Sequence, residues 1–167
     1  LKIPSVNVKY IKKSYKWIIF LIFIIILIII GFFLWARQPL ANAKSQAKGI
    51  AEKKAKIVKF DKFFMSDLNR TYYTIQGKDK YQNENYVIID KKTGDINIVP
   101  LKDTISQESA TNIANNRINI NKLISTAPTL FNNKPAWLVS YFDNKNKLCY
   151  ITIDLKNGKV IQSISNV

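Results

Sequence analysis

Few residues in this chain have the type and spacing to do chemistry, and each has a plainer reading. Ser45-Gln-Ala-Lys48 fits Ser-x-x-Lys, and Lys92-Thr93-Gly94 fits Lys-Thr-Gly. Both are elements of penicillin-recognising serine enzymes, where the Ser is the nucleophile. The third element of that set, Ser-Asp-Asn, is missing, with Ser66-Asp67-Leu68 the nearest approach. The Lys-Thr-Gly step also recurs as Lys156-Asn157-Gly158, which marks it as a turn rather than a signature.

Other chemistries fare no better. The chain has no His, which removes the commonest general base and metal ligand. Cys149 is the only cysteine, so neither an intramolecular disulfide nor a zinc site of the usual ligands can be built. Asp143-Asn144-Lys145-Asn146-Lys147 alternates polar oxygens like part of a calcium loop. It carries two lysines and no bidentate Glu at the required distance, and reads as a hairpin loop. Asn69-Arg70-Thr71 is a glycosylation sequon, relevant only in a eukaryotic secretory pathway. The sequence thus points to no catalytic, cofactor-binding or metal-ligating residue, to no cofactor, and to a protein that is not an enzyme.

The elements that frame these residues begin with a membrane segment. Residues 17–36 carry no charge and hold nine Ile, three Leu and four Phe. Twenty helical residues span roughly 30 Å, the thickness of the hydrocarbon core. The sixteen large apolar side chains favour insertion by about 5–10 kcal/mol. Trp17 and Trp35 stand at the two ends, where amphipathic rings prefer the interface. The length favours an uncleaved anchor over a signal peptide, whose apolar core is normally about 7–15 residues. Ala41-x-Ala43 leaves cleavage as the alternative.

Charge orients this segment and characterises the rest of the chain. Lys9, Lys12, Lys13 and Lys16 lie within eight residues of Trp17, whereas only Arg37 and Lys44 lie that near Ala36. That bias predicts a cytoplasmic basic tail over 1–16 and an extracellular C-terminal part. Residues 38–167 contain twenty Lys and Arg against all eleven acidic residues, a net charge of +9. Anionic lipid or an anionic wall polymer suits such a surface on a membrane-anchored domain, whereas the scattered basic residues do not suit a nucleic-acid groove.

The part beyond the anchor repeats itself. Tyr86-Val-Ile-Ile-Asp90-Lys-Lys-Thr-Gly94 recurs as Tyr150-Ile-Thr-Ile-Asp154-Leu-Lys-Asn-Gly158, offset by 64, and Tyr73-Thr-Ile matches Trp137-Leu-Val at the same offset. Ala47, Ile50 and Ala51 match Ala110, Ile113 and Ala114 at offset 63. Three blocks in one order predict two modules, 38–102 and 103–167. Each opens on a helix. Pro39 suits a first helical turn, and Ala43, Ala47, Ala51 and Ala55 form a narrow stripe that lets a helix lie close on a sheet. In the second module Ser106 suits an N-cap, and Ala110, Ile113, Ala114 and Ile118 follow with the spacing of one buried face. Residues 71–77, 85–90, 136–142 and 148–154 read as strands, with Phe60, Phe63 and Phe64 in an earlier strand and the core. Asp90 to Gly94 and Asp154 to Gly158 read as hairpin turns, in which Asp bonds its own backbone and Gly takes φ > 0. The fold class is α+β: a transmembrane helix, then two helix-plus-antiparallel-sheet modules that pack together.

Asn133-Lys134-Pro135-Ala136-Trp137-Leu138-Val139, then Tyr150-Ile151-Thr152-Ile153-Asp154 and Gly158-Lys159-Val160, resemble a PepSY-type module. Two such modules behind one membrane helix resemble the YpmB/TseB-like proteins of Gram-positive bacteria. The resemblance implies a cystatin-like fold outside the cell membrane. It also implies a regulatory role in cell-wall elongation through a penicillin-binding transpeptidase. The wider PepSY group implies an alternative, a peptidase inhibitor or folding assistant at the surface. A glycine often precedes the aromatic-led strand in the family, and Asn146 occupies that loop here.

Overall fold

The computed structural model describes residues 8–118 and 120–165, with side chains described from residue 15 onward except at 35–37. The chain forms two compact units, residues 1–42 and 43–167. In the first unit the chain is helical from Val8, as the N-terminal part of helix α1, Val8–Ala55. Every side chain from 17 to 34 is exposed, and this stretch makes α1 long and apolar enough to cross a membrane. Trp17 is exposed on it, whereas the Trp35 side chain and residues 1–7 of the basic tail lie outside the described residues.

One expectation is corrected here. Pro39 does not open a new helix, since it lies inside α1. A proline costs an interior helix one hydrogen bond, about 3 kcal/mol. Here the preceding apolar run has already nucleated the helix, so continuing it avoids a second nucleation.

The unit spanning residues 43–167 holds two four-stranded antiparallel sheets. Strands β1 (Ile57–Asp67), β2 (Thr71–Asp79), β3 (Glu84–Asp90) and β4 (Ile96–Pro100) form the first, in sequence order. Helix α2 (Gln107–Arg117) comes next, and β5 (Lys122–Phe131), β6 (Lys134–Phe142), β7 (Leu148–Asp154) and β8 (Val160–Ile164) form the second sheet in the same order. The Ser106 side chain accepts from the Ser109 N–H at 3.0 Å, satisfying one of the amides that a helix start leaves unpaired.

Alternation along the strands builds two cores. Ile75 opposes Val87, and Tyr73 opposes Ile89, so these four share one face. That face joins Ile57 and Ile96 against Ala47, Ile50 and Ala51 of α1. Two alanines buried completely allow the helix backbone to approach the sheet, as their spacing implies. The opposite face supplies Tyr72, Tyr86 and Ile88 to a second, aromatic core. There they meet Trp137, Val139, Ile151 and Ile153 of the second sheet, together with Ala110 and Ala114 of α2.

The join between the sheets is a strand edge laid on a sheet face. Strand β5 is an edge of its own sheet and lies against β1, β2 and β3. Pro128 on β5 has no N–H to leave unpaired, as an edge position requires. Its carbonyl accepts from the hydroxyls of Ser66 and Thr74, both at 3.2 Å. Buried Ser and Thr on an otherwise apolar face are thereby accounted for.

Candidate functional site

The two repeated turns have the same hydrogen bonds. Asp90 Oδ1 accepts from the N–H groups of Lys92 and Thr93 at 2.8 and 3.2 Å. Asp154 Oδ1 accepts from Lys156 and Asn157 at 2.9 and 3.0 Å. The Gly94 and Gly158 amides donate to the Asp90 and Asp154 carbonyls at 2.8 and 3.1 Å. Both glycines sit in the left-handed region, at φ 71° and 72°.

A second pair of loops matches at the same offset, and the sequence pattern showed only one member. Asp143 Oδ1 accepts from the amides of Lys145 and Lys147, and Asp79 Oδ1 accepts from those of Tyr81 and Asn83. Gln82 and Asn146 take φ 66° and 56° at matching positions. The offset of 64 links Asp79 to Asp143, and that signal could have revealed the earlier loop. The Asn83 side-chain amide, with backbone donors from Asn83 and Tyr81, holds the Asp79 carboxyl below its usual range. Asp143 is thus a loop-building carboxylate. Among the described residues no three His, Cys, Asp or Glu side chains cluster as a metal site.

The residues of the serine-enzyme pattern have other surroundings. Ser45 is exposed on α1. The Lys48 ammonium sits 5.1 Å from the centre of the Phe60 ring, and Lys92 lies in the β3–β4 turn. Cys149 is buried on β7, where its thiol donates to the Lys147 carbonyl at 3.4 Å. Burial and the neighbouring Cys149 push the Tyr141 phenol up to about 12.

What the chain does form is a polar cleft between the two modules. The tip of the β1–β2 hairpin (Leu68, Asn69, Arg70) and the tip of the β5–β6 hairpin (Asn132, Asn133) line a cavity of about 320 Å³. Asn132 and Asn133 take φ 49° and 59°, the geometry of a two-residue type I′ turn, for which Asn is well suited. Arg70 and Asn69 also line an adjoining cavity of about 460 Å³ with Thr71, Asp90, Lys91 and Lys92. Arg70 Nη2 pairs with Asp90 Oδ2 at 3.1 Å, the arginine half-exposed and the aspartate buried. Sequence reasoning missed this cleft, because its walls come from hairpin tips of different modules.

The comparisons with known proteins agree with this architecture. Residues 46–90 match the family described as cell wall elongation regulator TseB-like domain. Residues 104–163 match the peptidase propeptide and YPEB domain, PepSY. The solved structure of the YpmB protein from Bacillus subtilis superposes with a TM-score of 0.63 at 22% identity, covering 72% of this chain and 95% of that one. At that identity the superposition speaks for the fold. No curated protein sequence matches. With a match to the TseB-like domain followed by a match to the PepSY domain on that fold, the chain is similar to YpmB/TseB-like proteins and to regulators of cell-wall elongation.

Proposed function

We propose that this protein is a membrane-anchored, extracytoplasmic binding and regulatory protein. It modulates cell-wall elongation by engaging a penicillin-binding protein and performs no chemistry of its own. The observation that carries the reading is the order of parts: a helix able to span a membrane, a TseB-like domain, then a PepSY domain. The cationic bias before Trp17 supports a cytoplasmic N-terminus with residues 38–167 outside. The described surface suits binding better than turnover. Its cavities are open, without the walled, water-excluding shape that catalysis favours. Among the described residues strand β8 pairs only with β7, leaving an edge to which an extended partner segment could add a strand.

The PepSY match favours a second reading, a peptidase inhibitor or folding assistant at the cell surface. Crosslinking in intact cells followed by affinity capture of the full chain separates the two. Recovery of a wall-synthesis transpeptidase is expected. Recovery of a secreted peptidase in its place would favour the second reading. Protease added to spheroplasts should digest residues 38–167, and a fully protected C-terminus would overturn the orientation.

A further inference from the structure

We infer that the cleft around Arg70 is a binding site for a phosphate ester of a polyol or sugar. Arg70, Lys91 and Lys92 line one cavity, and Asp90 is the only carboxylate there. The lining therefore carries an excess of two positive charges. Arg70 gives Asp90 one nitrogen, and half of its side chain is exposed, so further guanidinium donors can reach a ligand. A planar donor fork beside point-charge ammonium groups matches the oxygens of a phosphate.

The adjoining cavity supplies partners for hydroxyl groups. Thr129 and Thr152 line it at 6% and 2% exposure, which places their hydroxyl-bearing side chains at its wall. The amides of Asn69, Asn132 and Asn133 border the same space. Hydroxyl and amide groups that both donate and accept suit a polyol better than an apolar side chain. The cavity that holds the charged groups has no aromatic or aliphatic lining residue of the kind that anchors a peptide, which favours a phosphate ester over an acidic peptide.

The second module has no equivalent. The residue matching Arg70 at the offset of 64 is Lys134, and Asp154 makes no ion pair among the described residues. The site goes beyond the regulatory role proposed above and does not depend on a protein partner.

Calorimetric titration of the full chain in phosphatidylcholine nanodiscs tests the inference. The probes are inorganic phosphate, a glycerol phosphate oligomer and an oligo-aspartate peptide. A parallel preparation adds phosphatidylglycerol to the disc. The oligomer should bind saturably and more tightly than inorganic phosphate. Arg70→Gln should weaken it about tenfold or more. The exposed double variant Lys91→Gln/Lys92→Gln, which leaves the Asp90 pair in place, should weaken it severalfold. Thr152→Val should weaken the oligomer but not inorganic phosphate, which a merely structural role would not produce. Competition by phosphatidylglycerol discs that is lost in the double variant would assign a lipid headgroup as the source, and its absence a soluble polymer. An equal loss on Lys145→Gln/Lys147→Gln, in a different loop, would overturn the site in favour of diffuse charge attraction. Tighter binding of oligo-aspartate would overturn it in favour of an acidic peptide.

Discussion

Tyr73 and Trp137 hold the same place in the two modules, yet Trp137 is completely buried and Tyr73 only half-buried. The first sheet lays its Tyr73 face on α1 alone, through small residues. The second sheet lays the Trp137 face on the 11-residue helix α2 and on aromatic residues of the other module. Phe64 and Tyr86 meet the Trp137 ring edge-on, with centroids at 6.3 and 5.6 Å. The indole N–H donates to the Ile105 carbonyl at 3.2 Å. One repeated unit therefore has a core of its own, whereas the other borrows part of its core from its neighbour, and the two should not tolerate damage equally.

The largest expected effect tests that asymmetry. Trp137→Ala should cost about 3–5 kcal/mol, the range for a fully buried aromatic, and should loosen both modules at once. Tyr73→Ala should cost clearly less, because part of its ring already meets water. Urea unfolding of the full chain in neutral micelles reads both. Equal losses would mean that the shared aromatic core is not what distinguishes the second module.

The turn glycines sharpen the comparison further. At φ near 70° a β-branched side chain is strained by roughly 1–3 kcal/mol, so Val at either position should destabilise. A Cβ at Gly94 would meet nothing within 4 Å, whereas one at Gly158 would lie 2.9 Å from Ile113 Cδ1. Gly158→Val must therefore also turn aside the far end of the Ile113 side chain on α2, a further small cost that Gly94→Val does not carry. Thermal unfolding should rank Gly158→Val below Gly94→Val, and the reverse order would break the assignment.

Alkaline pH should act through the shared core. Burial, with Glu84 nearby, pushes the Tyr86 phenol up to about 12, against an unfolded value of about 10. The stability from keeping it neutral is fully present below pH 10 and is lost as pH rises through 12. The loss should be on the order of 1–2 kcal/mol. Stability measured at intervals across that window should show it, and Tyr86→Phe should flatten the slope.

Much of this fold was legible because local chemistry and tertiary packing agree. The alanine spacing of α1, the cap at Ser106 and the strand at 148–154 each arise from short stretches whose neighbours demand the same conformation. Pro39 misled because its local preference yields to a helix already under way. Asp79 escaped notice because its loop shares hydrogen bonds with 143–147 but little sequence. The cleft was illegible for a different reason. Arg70 reads as an ordinary loop residue, and only the laying of β5 across the first sheet brings the two hairpin tips together.

The smallest expected effect concerns that arginine and isolates what the second module lacks. Asp90 and Asp154 each accept two backbone amides, so replacing either by Ala should cost about 1 kcal/mol. Asp90 additionally faces Arg70, but the half-exposed guanidinium limits the pair to about 0.2–1 kcal/mol. A double-mutant cycle of Arg70→Ala and Asp90→Ala should return a coupling in that range. The matched cycle of Lys134→Ala and Asp154→Ala should return a coupling near zero. Added salt should shrink the first coupling only in part, because Asp90 is buried while Arg70 is half in water. A coupling well above the surface range would mean that the pair is a structural clamp closing the hairpin. An arginine engaged that fully would have little left to offer a ligand. A small coupling instead leaves Arg70 energetically free to trade one carboxylate contact for a phosphate, which is the condition the proposed site requires.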